Sequence, residues 1–215
     1  MSNFERDFSF IDRLIVEIDK GLRTVFSEPP SERRTLPPSP SNLSLTEHER
    51  QHAIRLMRVN HSGEIAAQAL YQGQAFIARN TEIQEQLIHA AEEEYDHLYW
   101  CSLRLKELNG HKSYLNFFWY IGSFSVGTIA GFFGDNISLG FLEETEHQVV
   151  QHLESHLRRL PQNDSASRAI LEQMQIDESN HATTANKLGA AVLPVPVKWL
   201  MRGMSKVMTT TAYFV

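Results

Sequence analysis

Two Glu-x-x-His motifs, Glu94-Tyr-Asp-His97 and Glu178-Ser-Asn-His181, are the residues of this sequence best suited to chemistry. Residues three apart on a helix share a face, so each carboxylate and its imidazole can reach one metal ion. A single motif of this kind is a weak signal, and a third match, Glu144-Thr-Glu-His147, lies between the two. Bundles that bind two metal ions combine two such motifs with a lone Glu from each of two other helices.

Hydrophobic periodicity indicates which residues of the third match face inward. Glu146 falls in an apolar stripe with Leu142 and Val149, whereas Glu144 and His147 project to other faces. A carboxylate on an inward face is costly unless it is paired or metal-bound. We therefore predict that Glu146 is a lone ligand and that the Glu144–His147 match is not a metal motif.

Hairpin geometry supports the same selection. Residue 79 lies midway between Glu64 and Glu94, and residue 162 lies midway between Glu146 and Glu178. Both midpoints fall at predicted helix breaks, so each pair would lie level in an antiparallel hairpin. Carboxylate and imidazole ligands without thiolate favour iron or manganese. The predicted metal ligands are Glu64, Glu94, His97, Glu146, Glu178 and His181.

The elements that must position these residues are helical almost throughout. The fold predicted is all-α, a ferritin-like four-helix bundle with a long crossover helix between its second and third helices. Ser44 with Glu47 and Thr81 with Gln84 are predicted capping boxes, and Asn109-Gly110 is a predicted helix end. The four main helices are expected at about 46–79, 81–109, 136–160 and 165–188.

Three segments divide the chain. Residues 1–26 are predicted to hold an amphipathic N-terminal helix, 27–44 form a Pro/Ser-rich linker, and 45–215 are the ferritin-like di-iron domain. Segment 113–134 has no charged residue and is long enough to span a bilayer. Spanning would separate the two halves of the metal site, so we interpret it as the crossover.

The outer face of this crossover is expected to lie on or dip into the membrane, and a buried crossover or an oligomer interface is the alternative. The cationic, amphipathic C-terminal segment 197–208 is predicted to form a helix that either attaches to the membrane or packs on the bundle. The net charge of −6 argues against nucleic acid as a partner, and the single cysteine excludes a disulfide framework. His61 and His152 are candidates to support the ligands. The other histidines are expected at the surface or in a supporting role: His48, His52, His89, His111 and His156.

Four sequence stretches together resemble the demethoxyubiquinone hydroxylase family of ferritin-like di-iron carboxylate proteins, which acts in ubiquinone biosynthesis. They are Asn60-His-Ser-Gly-Glu64, Glu94-Tyr-Asp-His97, Ser138-Leu-Gly-Phe with Thr145-Glu146, and Asp177-Glu178-Ser-Asn-His181. The similarity covers most of residues 45–215, and all six predicted ligands match.

The resemblance implies an O2-dependent monooxygenase with two Fe ions per chain. Its substrate would be a 2-polyprenyl-3-methyl-6-methoxy-1,4-benzoquinol, hydroxylated at the unsubstituted ring carbon. Glu94 and Glu178 would bridge the irons, with Glu64 and His97 on one and Glu146 and His181 on the other, although this pairing stays open. The enzyme is expected at the cytoplasmic face of the cell membrane as a peripheral protein, beside other ubiquinone-biosynthesis proteins or as a homo-oligomer.

The source of electrons stays open, because the sequence has no G-x-G-x-x-G fingerprint for a nucleotide. A partner protein, NADH or the quinol itself would each serve. Two other functions are weighed against the hydroxylase. One is a different ferritin-like di-iron protein, such as a ferroxidase, a peroxide scavenger or a tRNA hydroxylase. The other is a non-catalytic, membrane-binding helical module, which would leave the inward Glu and His residues unexplained.

Overall fold

The computed structural model describes residues 9–27, 34–37 and 44–215, and within these ranges the chain forms seven helices and no strand. The first eight residues and most of the predicted linker (28–33 and 38–43) lie outside the described residues. The helices are α1 Phe10–Phe26, α2 Glu47–Ile77, α3 Thr81–Glu107, α4 Asn116–Phe132, α5 Asp135–Arg159, α6 Ser165–Lys187 and α7 Val195–Phe214.

Helices α2, α3, α5 and α6 form the predicted ferritin-like bundle from two hairpins, α2–α3 and α5–α6. Two apolar clusters lie at different levels of this bundle. One contains Leu56, Trp100 and Leu171, and the other contains Leu87 and Leu139. The predicted ligands occupy the level between them, so apolar packing holds the four helices together on either side of a polar layer.

The helix ends correct two sequence predictions. The capping box of α2 is Thr46 with Glu49, not Ser44 with Glu47, and α3 is capped by Asn80, not Thr81. The reason is local: Asn80 accepts from two backbone N–H groups of the first turn, which a threonine hydroxyl inside the helix cannot do. The predicted end at Asn109-Gly110 is confirmed, with Asn109 in the left-handed region at φ 57°.

Helix α4 is the crossover between the hairpins, and it packs along α2 at close range. Glycines on both helices allow this approach. A Cβ at Gly73 would overlap the carbonyl oxygen of Phe124, and a Cβ at Gly127 would overlap that of Leu70. The opposite side of α4 leaves large apolar side chains in solvent, among them Phe118 and Phe132. No helix in the described ranges has the length and apolar character that a membrane crossing requires.

The two outer helices pack on the bundle without joining it. Helix α1 contacts α2 and α4, where Gly21 lies against the ring of Tyr120. Helix α7 contacts α2 and α5, and Lys198 pairs with Glu144 at 2.7 Å. Packing on the bundle was one of the two alternatives for the C-terminal segment, and α7 also keeps Trp199 and Leu200 exposed.

Candidate metal centre

The structure brings all six predicted ligands into one layer of the bundle. Helices α2 and α5 each supply one carboxylate, from Glu64 and Glu146. Helices α3 and α6 each supply a Glu-x-x-His pair, in which the i,i+3 spacing places the carboxylate and the imidazole on the same face. Five of the six side chains are at most 4% exposed, and His181 is 10% exposed.

These side chains form two groups, and within each group the potential ligand atoms lie within 4.8 Å of one another. The His97 position comprises Glu64, Glu94, His97 and Glu178. The His181 position comprises Glu94, Glu146, Glu178 and His181. Glu94 and Glu178 belong to both groups, so they are placed to bridge two ions. This grouping has the same arrangement as the pairing that the family resemblance implies.

Burial makes the ionisation of these carboxylates unfavourable. Burial and the charge of Glu94 raise the pKa of Glu64 well above its usual value. Burial and the charge of Glu178 do the same for the pKa of Glu146. Burial would also raise the pKa of Glu178, but hydrogen bonds from His181 and His97 outweigh it and lower that pKa. The cluster therefore contains more carboxylate groups than its own protein donors can stabilise as anions.

The two histidines carry the compensating charge. Burial opposes protonation of His97, but hydrogen bonds to Asp177 and to the cluster carboxylates raise its pKa well above the usual value. Burial likewise opposes protonation of His181, but Glu178 and Glu93 raise its pKa to about 12. Without a metal ion these contacts favour protonation of both rings, so metal binding would compete with their protons.

The donor set fits two divalent cations. Four buried carboxylates and two imidazoles lie in one layer. Oε2 of Glu64 and Oε1 of Glu94 form no close hydrogen bond among the described residues, and ring nitrogens of His97 and His181 lie 3.5 and 3.7 Å from them. A buried acceptor without a donor is costly, and a metal ion would remove that cost. Oxygen and imidazole ligands suit iron or manganese.

Acidic residues outside the cluster contact both histidine rings, and in each case the carboxylate and the ring belong to different helices. Asp177 of α6 lies 3.0 Å from Nε2 of His97 on α3, and Glu93 of α3 lies 2.8 Å from Nε2 of His181 on α6. A carboxylate on the far nitrogen orients a ligating ring. Neither residue was predicted from the sequence, although each directly precedes the glutamate of its motif and the two lie 84 positions apart.

Tyr71 is a third residue that contacts the predicted ligands and was not predicted from the sequence. Its buried hydroxyl donates to Oε1 of Glu146. Tyr71 lies two turns after Glu64 on α2, on the same inward face, which was the available signal.

The rejected motif stays apart from the cluster. His147 is exposed, while Glu144 is buried beneath α7, where it pairs with Lys198 and Arg202. The surface alternative predicted for His156 is wrong. This residue is 2% exposed, and its Nδ1 lies 2.9 Å from Oδ1 of Asn60. Its position on the inner side of α5, under the ring of His152, explains the burial.

Of the two supporting candidates, His61 is buried and lies near Asn116 rather than on a predicted ligand. His152 lines a cavity of about 740 Å³ that opens beside the metal centre. Glu64, Glu146 and Glu178 form part of the cavity wall. The rest of the wall comes mainly from apolar side chains of α2, α4, α5 and α7: Leu70, Trp119, Val126, Phe141, Val149, Leu200, Met204 and Val207.

A four-helix bundle whose buried Glu and His residues form two groups with two shared glutamates is the arrangement of a ferritin-like protein with a possible carboxylate–histidine metal site. The family described as Ubiquinone biosynthesis protein COQ7 matches residues 51–212, and the chain belongs to this family. The resemblance found in the sequence is thereby confirmed.

Curated relatives cover nearly the whole chain. A protein of Nitrosococcus oceani is 54% identical over 211 residues, which are 98% of this chain and 99% of the relative. A protein of Polynucleobacter asymbioticus is 56% identical over 207 residues, covering 95% and 99%. A protein of Coxiella burnetii is 50% identical over 215 residues and covers both chains completely. All three are named 3-demethoxyubiquinol 3-hydroxylase.

Proposed function

We propose that this protein is an O2-dependent monooxygenase that hydroxylates the ring of a demethoxyubiquinol at a di-iron site. The observation that carries the proposal is the apolar cavity whose wall includes Glu64, Glu146 and Glu178. A metal store needs only a path for ions, whereas a lipid-like quinol needs an apolar volume directly beside the metal ions. Membership of the family supports the same substrate class.

The metal centre supplies the redox chemistry when it is loaded. Iron at the His97 and His181 positions would activate O2. Hydroxylation places one oxygen atom on the ring and converts the other to water, which takes two electrons and two protons. NADH, a partner protein or the quinol itself would supply the electrons. The chain contributes orientation through Asp177 and Glu93 and a closed apolar surrounding that excludes water.

The cavity also offers a polar group suited to a quinol hydroxyl. Nε2 of His152 is buried in its wall and has no hydrogen-bond partner among the described residues. Burial lowers the pKa of His152 to about 4, so the ring is neutral at physiological pH. A neutral ring can donate to or accept from a hydroxyl group. We expect His152→Phe to raise KM for the quinol more than it lowers kcat, since the contact positions substrate.

A peripheral position at the cytoplasmic face of the membrane completes the proposal. Trp199, Leu200 and Val207 of α7 are each more than half exposed, and the exposed cation Lys206 directly precedes Val207. An amphipathic, cationic helix of this kind binds the interface of an anionic bilayer. Because Leu200 and Val207 also line the cavity, the polyprenyl tail would stay in lipid while the ring enters.

Vesicle flotation tests this position. Leu200→Ser should reduce binding of the full chain to vesicles containing anionic lipid. Ile176→Ser is the matched control, because Ile176 is also exposed but lies on α6. Unchanged flotation of Leu200→Ser, together with a wild-type protein that elutes as an oligomer, would instead make this face a protein interface.

Product analysis tests the activity. Iron-loaded protein is incubated with a short-tailed demethoxyubiquinol, ¹⁸O2 and NADH, and the product is analysed by mass spectrometry. We expect one labelled oxygen atom in the ring with wild type and with Glu144→Gln, and none with Glu178→Gln. Glu144 is the suitable control because it is also a buried carboxylate but lies outside the metal groups. Fully loaded wild type that leaves the quinol unchanged would contradict the proposal.

A further inference from the structure

Arg34 belongs to the short described segment between α1 and α2, and it lies against the outside of the metal centre. Its Nη1 is 2.8 Å from Oδ2 of Asp177, and its Nη2 is 3.3 Å from Oδ1. The guanidinium therefore holds both oxygens of the carboxylate in a fork, the arrangement that fixes orientation as well as charge.

Helix α3 anchors the same residue on its other side. The guanidinium carbon of Arg34 lies 5.2 Å from the ring centre of Trp100. The indole N–H of Trp100 donates to the backbone oxygen of Arg34 at 3.4 Å, and the backbone N–H of Arg34 lies 3.5 Å from Oδ1 of Asp96. Both the main chain and the side chain of Arg34 are thus held, so it connects α3 to α6 above the predicted ligands.

Asp177 transmits this contact to the metal centre. Its Oδ2 faces Nε2 of His97 at 3.0 Å, and its Oδ1 accepts from Gln173 at 3.0 Å. Contacts of Arg34 with both oxygens favour the orientation in which the carboxylate faces the histidine. The ring of His97 is therefore fixed with Nδ1 toward Glu64, Glu94 and Glu178.

Among the described residues, the His181 position has no corresponding ion pair, and the charge of Arg34 acts less on Glu93 than on Asp177. Glu93 holds the ring of His181 and pairs with His89 at 3.3 Å. Within the described part of the chain, no lysine or arginine forms an ion pair with Glu93. Its side chain is 34% exposed, against 12% for Asp177. The two supporting carboxylates are thus related by the repeat but held to different degrees.

We propose that Arg34 is a positioning residue of the metal centre, which holds Asp177 and thereby strengthens metal binding at the His97 position more than at the His181 position. This inference rests on the proposed di-metal site and extends it. It gives a residue that precedes the bundle in sequence a role in the chemistry inside the bundle. An arginine that only stabilised the fold would not affect one metal position selectively.

The test is an anaerobic Co²⁺ titration of the full-length metal-free protein, followed by the visible absorption of bound Co²⁺. Wild type should bind two equivalents. In Arg34→Gln one equivalent should bind about tenfold more weakly and the other should change much less, since changes around metal ligands cost roughly 10–100-fold in affinity. Arg34→Lys keeps the charge but not the fork, so its loss should be smaller. Arg158→Gln, which removes an exposed pair with Glu154, should bind as wild type does.

A second comparison separates positioning from general destabilisation. If Arg34 acts through Asp177, the double variant Arg34→Gln/Asp177→Asn should bind Co²⁺ no more weakly than Asp177→Asn alone. Additive losses, equal weakening of both equivalents, or wild-type affinity in Arg34→Gln would each overturn the inference. Should Arg34→Gln not fold by circular dichroism, Arg34→Lys provides the same comparison. A wild type that binds no Co²⁺ would overturn the metal centre itself and is recognised without any variant.

Discussion

The His97 and His181 positions have matching ligands but different surroundings. Each has one lone glutamate, one histidine and the two shared glutamates. His97 is fully buried, whereas His181 is 10% exposed. Asp177 behind His97 is held by Arg34 and Gln173, whereas Glu93 behind His181 forms its further ion pair among the described residues with His89. The His97 position is the closed half of the centre.

For the lone glutamates, it is the His181 position that has the additional hydrogen bond. Glu146 of the His181 position receives a hydrogen bond from Tyr71, whereas Oε2 of Glu64 faces Nδ1 of His97 at 3.5 Å and forms no close hydrogen bond among the described residues. Each position is therefore firmly held at one ligand and loosely held at another. Repetition of a helical hairpin gives two similar groups of candidate ligands, and the different elements packed around them give the two groups different surroundings.

The supporting carboxylates should give the largest difference between the positions. Asp177→Asn is expected to weaken binding at the His97 position, and Glu93→Gln at the His181 position, each by roughly 10–100-fold. Glu93 should lie at the lower end of that range, because its more exposed carboxylate is held less firmly. Two-step metal titrations measure both affinities. The comparison fails if both variants weaken the same equivalent.

Tyr71→Phe should give a smaller effect, confined to Glu146 of the His181 position. Removal of its hydroxyl takes a donor from buried Glu146, so the free energy of unfolding of the metal-free protein should fall by about 1–3 kcal/mol. Urea denaturation measures this change. Tyr213→Phe is the control, because the hydroxyl of Tyr213 also forms a hydrogen bond, with Nδ1 of His52 at 3.0 Å, but the contact is half-buried. Equal losses in both variants would show that Glu146 does not depend on Tyr71.

The histidines outside the metal centre should give the smallest effect. Burial lowers the pKa of His156 to about 2, in contrast to the raised pKa values of His97 and His181. As pH falls below about 6.5, the unfolded chain takes up a proton at His156 and the folded chain does not, so the free energy of unfolding falls. His156→Gln should reduce this slope by about 1 kcal/mol per pH unit between pH 6 and 5. An unchanged slope would show that the folded protein protonates His156.

The sequence predicted the bundle because its signals are local. Inward stripes, helix breaks and the spacing of Glu64, Glu94, Glu146 and Glu178 all follow from helix geometry. The predicted N-terminal caps of α2 and α3 were displaced by one or two residues, since several Ser, Thr and Asn side chains lie near each helix start. His152 and His156 lie four residues apart on α5. Whether His156 is buried could not be predicted, because that depends on which helix covers it.

Contacts between distant segments could not be predicted in the same way. Arg34 meets Asp177 across 143 positions of the chain, and no periodicity connects them. Glu93 and Asp177 did carry a signal, since each directly precedes a motif glutamate. Their crossed pairing with the opposite histidine depends on how α3 faces α6, which only the structure shows.

The most direct test of the account is the iron content of anaerobically purified protein, with wild type beside Glu178→Ala and Glu144→Ala. Because Glu178 belongs to both positions, its loss should remove both ions, whereas wild type and Glu144→Ala should each hold about two irons per chain. Wild type that remains without iron after careful reconstitution, or Glu178→Ala that keeps both irons, would contradict a metal centre built on shared glutamates.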